Sequence, residues 1–271
     1  MVCAIDANLL VEDAAHPIAT IEEQPPVAPR EKDDPTKVFP EYQWKAKDAW
    51  KCLAMVFMLR LVFTGITTGL RSHSFWFETW DRSGYGRFFV FLFTYGVYVV
   101  VAAYFARTET FALFLRGFGL NRKPTELVWL GILMALVIRI VGHSMMALKM
   151  GPGVSAYDFR GFKYTLGFER YFFLGCLILL APLLEESLNR GFLYKAFRGS
   201  YPLVASIGLM IGWTCFTHWS YYYNSWVAAL DLSALTIVQC YLREKSDSLW
   251  DTIICHFIYN ASSLFISGTS S

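Results

Sequence analysis

Apolar residues along this chain gather in long runs separated by short polar breaks, and strand-like alternation is absent. The runs fall at approximately 51–70, 88–106, 125–148, 171–189, 202–222, 226–242 and 249–267. Each approaches the roughly 20 residues that a helix needs to span a bilayer. The last four are shorter or more polar, so the expected number of transmembrane helices is about seven, within a range of six to eight. Lipid cannot satisfy open backbone groups, which makes the expected fold class all-α, a polytopic membrane helix bundle.

The polar segments set the organisation. Residues 1–45 are expected to form a disordered, acidic, Pro-containing tail, and residues 46–271 the membrane domain, with no separate soluble domain and no internal repeat. Its first 40 residues hold Asp6, Glu12, Asp13, Glu22, Glu23, Glu31, Asp33 and Asp34 against Arg30, Lys32 and Lys37, a balance of 3 − 8 = −5. It has neither a basic leader nor a continuous apolar core and does not read as a signal peptide. Thr108–Leu120 is too short to span and is expected at the interface, stopped by Asn121-Arg-Lys-Pro124. Residues 151–170 read as a polar, aromatic-bearing loop. Basic residues flank the first run on both sides (Lys45, Lys47 and Lys51 before it, Arg71, Arg82 and Arg87 after it), so charge chooses orientation weakly. A cytoplasmic N-terminus is expected, because the acidic tail then needs no translocation.

Composition narrows the classes further. Hydrophobic residues make up 55% of the chain and charged ones 17%, and nine Trp and fifteen Tyr suit the headgroup boundary of a membrane. The net charge of +2 argues neither for nor against an anionic partner, and no nucleic-acid partner is expected. The expected partners are membrane lipid and a peptide or protein substrate near the membrane; the acidic tail reads either as a passive tether or as a contact for a protein partner. Cys3, Cys52, Cys176, Cys215, Cys240 and Cys255 are scattered without a CxxC pair, so they read as small apolar residues rather than as a disulfide framework or zinc site.

Chemistry concentrates at three places. Glu185 and Glu186 end the apolar run that begins at Tyr171, and carboxylates at such a position are costly to place. Glu186 and Arg190 are four apart and share a helix face, while Glu185 points about 100° away and is freer to face another helix. Glu185 is therefore expected to act on water as a general base, with Glu186 and Arg190 holding it and the local field. His218 lies in a second apolar run. His256 and Asn260 lie four apart in a third, on one face, where two donors can form an oxyanion hole. Taken singly, each has a plainer reading: a charged helix end, a hydrogen-bonded structural histidine, an interhelical polar clamp. Together they are far more specific, and they match hydrolysis. Arg60, Arg139 with His143 one turn later, and Asp231 also sit in apolar runs. They suggest internal pairing, Asp231 with Arg60 or with Arg139.

The sequence Glu185-Glu-Ser-Leu-Asn-Arg190, a histidine on the next apolar helix, and Ser248-Leu-Trp-Asp-Thr-Ile-Ile-Cys-His256-Phe-Ile-Tyr-Asn260 together resemble the CAAX prenyl endopeptidase and bacteriocin-processing family of intramembrane glutamic proteases. The resemblance covers roughly residues 165–267, with a weaker echo at Phe118-Gly-Leu120. It implies that Glu185 and His218 activate water and that His256 and Asn260 stabilise the oxyanion, without cofactor or metal. It also implies an integral, multi-pass membrane protein, in the inner membrane if the source is bacterial. One position departs from the pattern: Thr214 stands where the family usually has phenylalanine, four residues before its histidine. A metal-dependent hydrolase is disfavoured, since no His-Glu-x-x-His motif is present, Arg190 would repel a cation, and the repeated His boxes of di-iron enzymes are missing. The alternative from another class is a non-catalytic membrane scaffold or immunity-type binding protein on the same fold.

Overall fold

The computed structural model describes residues 44–108, 110–150, 168–219 and 225–267, and all regular structure among them is helical. Long helices are α1 (Ala46–His73), α3 (Gly84–Phe105), α5 (Leu127–Met150), α6 (Phe168–Glu186), α8 (Leu203–Thr217), α9 (Trp226–Ser246) and α10 (Leu249–Ser267). Short ones are α2 (Phe75–Arg82), α4 (Phe111–Phe118) and α7 (Tyr194–Arg198), and a π-helical segment, Ser187–Leu193, joins α6 to α7. The expected acidic tail falls, up to residue 43, outside the described residues, as does most of the expected loop, residues 151–167.

Among the described residues, three helices are long and apolar enough to cross a membrane: Ala46–His73, the Phe88–Phe105 part of α3, and Leu127–Lys149 of α5. The expectation of about seven spans is met by length and composition for these three. The other long helices carry polar groups on faces turned towards their neighbours: Glu186 on α6, Asp231 and Gln239 on α9, Asp251 on α10. These dilute the apolar signal. α8 is apolar but has only 15 residues, about 22 Å of helix.

Packing explains which faces are which. α10 lies mainly against α5, α6 and α9, and α9 also meets α5 and α8. Ala135, Ile138, Leu232, Leu235, Leu242, Cys255 and Tyr259 form one buried cluster between α5, α9 and α10. A second cluster surrounds Trp44, Phe118, Phe192, Phe197, Met210 and Leu249. By contrast α1 leaves Met55, Phe57, Met58, Leu61, Val62 and Ile66 exposed, as a lipid-facing helix would.

Helix ends converge at one polar end of the bundle. The Trp44 indole donates to the Ala106 carbonyl (2.9 Å), and the Ala46 amide to Ser200 Oγ (2.9 Å). The Trp250 indole reaches the Leu120 carbonyl (2.9 Å), and Asp251 accepts from the Thr125 amide (2.9 Å) and hydroxyl (2.7 Å). α4 is the short stretch expected at the interface; its eight residues are capped by Thr110, whose hydroxyl accepts from the Leu113 amide. It ends at Gly119 with φ 79°, where a Cβ would come within 2.7 Å of the Arg243 guanidinium. Glycine is required there both for the left-handed backbone and for the close approach. The result is that Arg243 reaches the carbonyls of Phe118 (3.1 Å) and Arg190 (3.2 Å), locking the Phe118-Gly-Leu120 element to the segment that follows the glutamates.

Candidate active site

The glutamate pair stands where a regular helix gives way. Pro182 lies inside α6 and lacks the amide that would continue its hydrogen-bond ladder. One turn later the backbone widens into the π-helical segment, a form rare enough to mark functional positions. Ser187 donates back to the Leu183 carbonyl (2.7 Å) across the junction.

Glu186 is fully buried, and its Oε1 meets three partners: Arg190 Nη1 at 3.0 Å, Gln239 Nε2 at 3.0 Å and His256 Nδ1 at 2.9 Å. The pair expected between Glu186 and Arg190 therefore forms, but its reach is different. Glu186 grips His256 across the bundle, whereas the sequence suggested that it serves Glu185. A carboxylate only accepts, so His256 Nδ1 carries the hydrogen and Nε2 is the nitrogen left for other work. Asn260, one turn further along α10, donates one amide hydrogen to the Leu177 carbonyl (3.4 Å) and keeps a second.

Glu185 points elsewhere, as the 100° offset required. Partly buried, it lies within electrostatic reach of the Tyr95 hydroxyl of α3. His218 caps the C-terminus of α8, where Nδ1 meets the Thr214 carbonyl (3.0 Å) and Thr217 Oγ1 (3.1 Å). A carbonyl also only accepts, so in this ring too Nδ1 carries the hydrogen. The departure at Thr214 has a use in this fold: its hydroxyl accepts from Thr236 (3.2 Å) and ties α8 to α9. The Trp213 indole binds Asn189 of the π-helical segment (2.9 Å), fixing α8 to the other side.

The structure thus joins Glu186, Arg190 and His256 directly and sets Asn260 on the same face of α10 as His256, with Glu185 on α6 and His218 at the C-terminus of α8. Sequence reasoning missed Gln239 and Tyr95. Gln239 had a signal, since it lies eight residues from Asp231 and so on one face of an apolar helix. Tyr95 had none, being one of fifteen tyrosines.

The remaining intramembrane charges sort themselves. Asp231 pairs with Arg139 (3.2 Å) and accepts from the Tyr259 hydroxyl (2.6 Å), while Arg139 also reaches Tyr259 (3.4 Å) and Ser263. Gly142 makes room, because a Cβ there would sit 2.6 Å from Asp231 Oδ1. Arg60 does not join this pair; its guanidinium lies 3.5 Å from the Thr217 carbonyl. Cys52, Cys240 and Cys255 are buried free thiols. Among the described residues, no group of three or more His, Cys, Asp or Glu side chains is arranged to hold a metal ion.

At the polar end, Lys195 is buried beside Gly117 O (3.3 Å) and Asp247 (3.1 Å). Burial, with the Arg243 cation next to it, pulls its pKa down to about 7. Arg198 is clamped by Glu244 (2.8 Å), whose hydrogen bond raises the arginine further.

No curated protein and no solved structure matches the chain. A family match does exist, and it begins just before α6 and ends just after Asn260, enclosing all four candidate catalytic residues. Residues 167–262 match a family model described as Rce1-like, Type II CAAX prenyl endopeptidase Rce1-like.

Proposed function

We propose that this protein is a multi-pass intramembrane endopeptidase that hydrolyses a peptide bond of a membrane-associated, CAAX-type substrate with water activated by glutamate and histidine. The family match supports protease activity of the CAAX type, and the apolar helices support an integral membrane protein. The single observation that carries the mechanism is the grip of buried Glu186 on His256 Nδ1 beside a second, differently directed glutamate.

In this reading Glu185 accepts the proton of the attacking water, with the Tyr95 hydroxyl within electrostatic reach of its carboxylate. His218 orients the water through Nε2. His256 Nε2 and the open amide hydrogen of Asn260 meet the oxyanion. Nε2 donates only when the His256 ring is doubly protonated, a state whose charge Glu186 balances. Arg190 and Gln239 in turn hold the Glu186 carboxylate in aim. No step needs a metal. The polar end, with Lys45, Lys47, Arg116, Arg122 and Lys123 near it, would face the cytoplasm.

The test compares the wild type with Glu185→Gln and His256→Ala at matched levels, in membranes containing candidate C-terminally lipidated substrates. Expected is product from the wild type, also with chelator present, and a loss of at least about 10²-fold in both variants. Unchanged product in both variants would remove these residues from catalysis. A biological role that survives without any product would leave the non-catalytic scaffold in its place.

A further inference from the structure

Arg60 is the charge that the proposed mechanism does not use. It lies 14 residues into α1, about 21 Å along the helix, within a segment apolar enough to span. Its side chain is exposed, and among the described residues no carboxylate lies within ion-pair distance of it. Arg139 and Arg190, the other arginines of the apolar runs, both have acids and are buried. An exposed arginine at this depth is expensive in hydrocarbon, and such residues characteristically face a wet interior.

The neighbours of Arg60 are those of the candidate site. Its guanidinium lies against the Thr217 carbonyl, the residue before His218. It also acts electrostatically on the hydroxyls of Tyr95 and Tyr98, and Tyr95 is within the same reach of Glu185. Arg60 is thus a cation beside the site with no acid at ion-pair distance among the described residues, placed by a helix that lies outside the matched segment 167–262.

We propose that Arg60 is the substrate-anchoring cation of the site and holds the C-terminal carboxylate of the peptide whose bond is cut. This rests on the endopeptidase reading for the identity of the peptide. Arginine suits the task, because its planar fork binds a carboxylate through two parallel hydrogen bonds. Three extended residues span about 10 Å, so a carboxylate a few residues beyond the scissile bond can reach a group on an adjoining helix. Arg60 is then a specificity residue: it selects peptides that end near the cleavage point over internal segments of longer chains.

The experiment uses the full-length protein in phosphatidylcholine nanodiscs. The probes are a prenyl-cysteine peptide with three following residues as the free acid, and the same peptide as the C-terminal amide. Binding is measured on the Glu185→Gln background, so that turnover plays no part, and cleavage on the background with Glu185 intact. The free acid is expected to bind roughly tenfold to a hundredfold more tightly than the amide. Arg60→Gln should erase that preference while leaving amide binding and the melting temperature in place, and Arg60→Lys should restore part of it. Equal binding of acid and amide, no binding of either, or a preference that survives Arg60→Gln overturns the proposal. So does a loss in Arg60→Gln that is the same for acid and amide and is mimicked by adding phosphatidylglycerol, which would assign Arg60 to lipid phosphate. The two readings fail separately. Acid-selective binding without cleavage of either peptide would sink the endopeptidase and keep the anchor, and equal cleavage with equal binding would do the reverse.

Discussion

Two buried arginine–carboxylate centres grip the same helix, α10, one turn apart, and they end in different chemistry. At the first, Glu186 and Arg190 come from one helical segment, and Gln239 joins from α9. The centre terminates on His256, a ring with a second nitrogen still to use. At the second, Asp231 of α9 and Arg139 of α5 close on the hydroxyls of Tyr259 and Ser263, and the guanidinium also lies 4.9 Å from the Tyr259 ring centre. Burying an ion pair costs desolvation that its attraction often fails to repay, so neither centre is explained by stability alone. The comparison suggests that the Asp231 centre fixes the rotation of α10 and that the Glu186 centre uses that fixed rotation to aim His256.

Glu186→Gln breaks the first centre most sharply. Glutamine can still accept from His256 but cannot balance a doubly protonated ring, so cleavage by the folded protein should fall by about 10²–10³-fold. A variant that keeps near-wild-type turnover would separate Glu186 from the chemistry.

The second centre should respond in stability first. Asp231→Leu leaves Arg139 buried without its acid, which should cost roughly 3–5 kcal/mol, read as a lowered melting temperature. Turnover per folded molecule should fall by less than about tenfold. Adding Arg139→Met should recover much of the lost stability, since a well-packed apolar pair often replaces a buried ion pair at little cost. If the single variant melts normally but loses turnover as Glu186→Gln does, the division between the two centres is wrong.

The smallest effect lies at the polar end, outside both centres. Lys195 is held near pKa 7 in the fold against 10.5 as its ordinary value, because burial disfavours its charge. Between about pH 7 and pH 10 the unfolded chain then binds more protons than the folded one, so stability should rise with pH across that window. Below pH 7 both states are protonated and the slope vanishes. Lys195→Met should flatten the rise, while the response of the Glu186 and Asp231 variants should keep it. Equal slopes in wild type and Lys195→Met would rule out this assignment.

Much of the site was legible because helices project residues in a fixed order. Four-residue spacing put Glu186 with Arg190 and His256 with Asn260, and the offset between adjacent residues turned Glu185 away. Asp231 had two candidate arginines, and only packing chose Arg139 over Arg60, since α5 lies against α9 and α1 does not. Tyr95 and Gln239 could not be assigned roles in advance. Their placement beside the glutamates comes from which helix lies opposite; spacing put Gln239 on a face with Asp231 but named no partner for it.

What the sequence determined by itself is the helical class, the apolar faces and the polar groups that each helix would have to satisfy. These follow from local periodicity and from the cost of unpaired groups in an apolar medium. The tertiary structure decided the partners. It gave Glu186 to His256 and Asp231 to Arg139, set Glu185 within reach of Tyr95, and left Arg60 beside Thr217 without an acid among the described residues. The physical reason is range: a helix fixes contacts up to four residues away, whereas these pairs are joined only by the lateral packing of one helix against another.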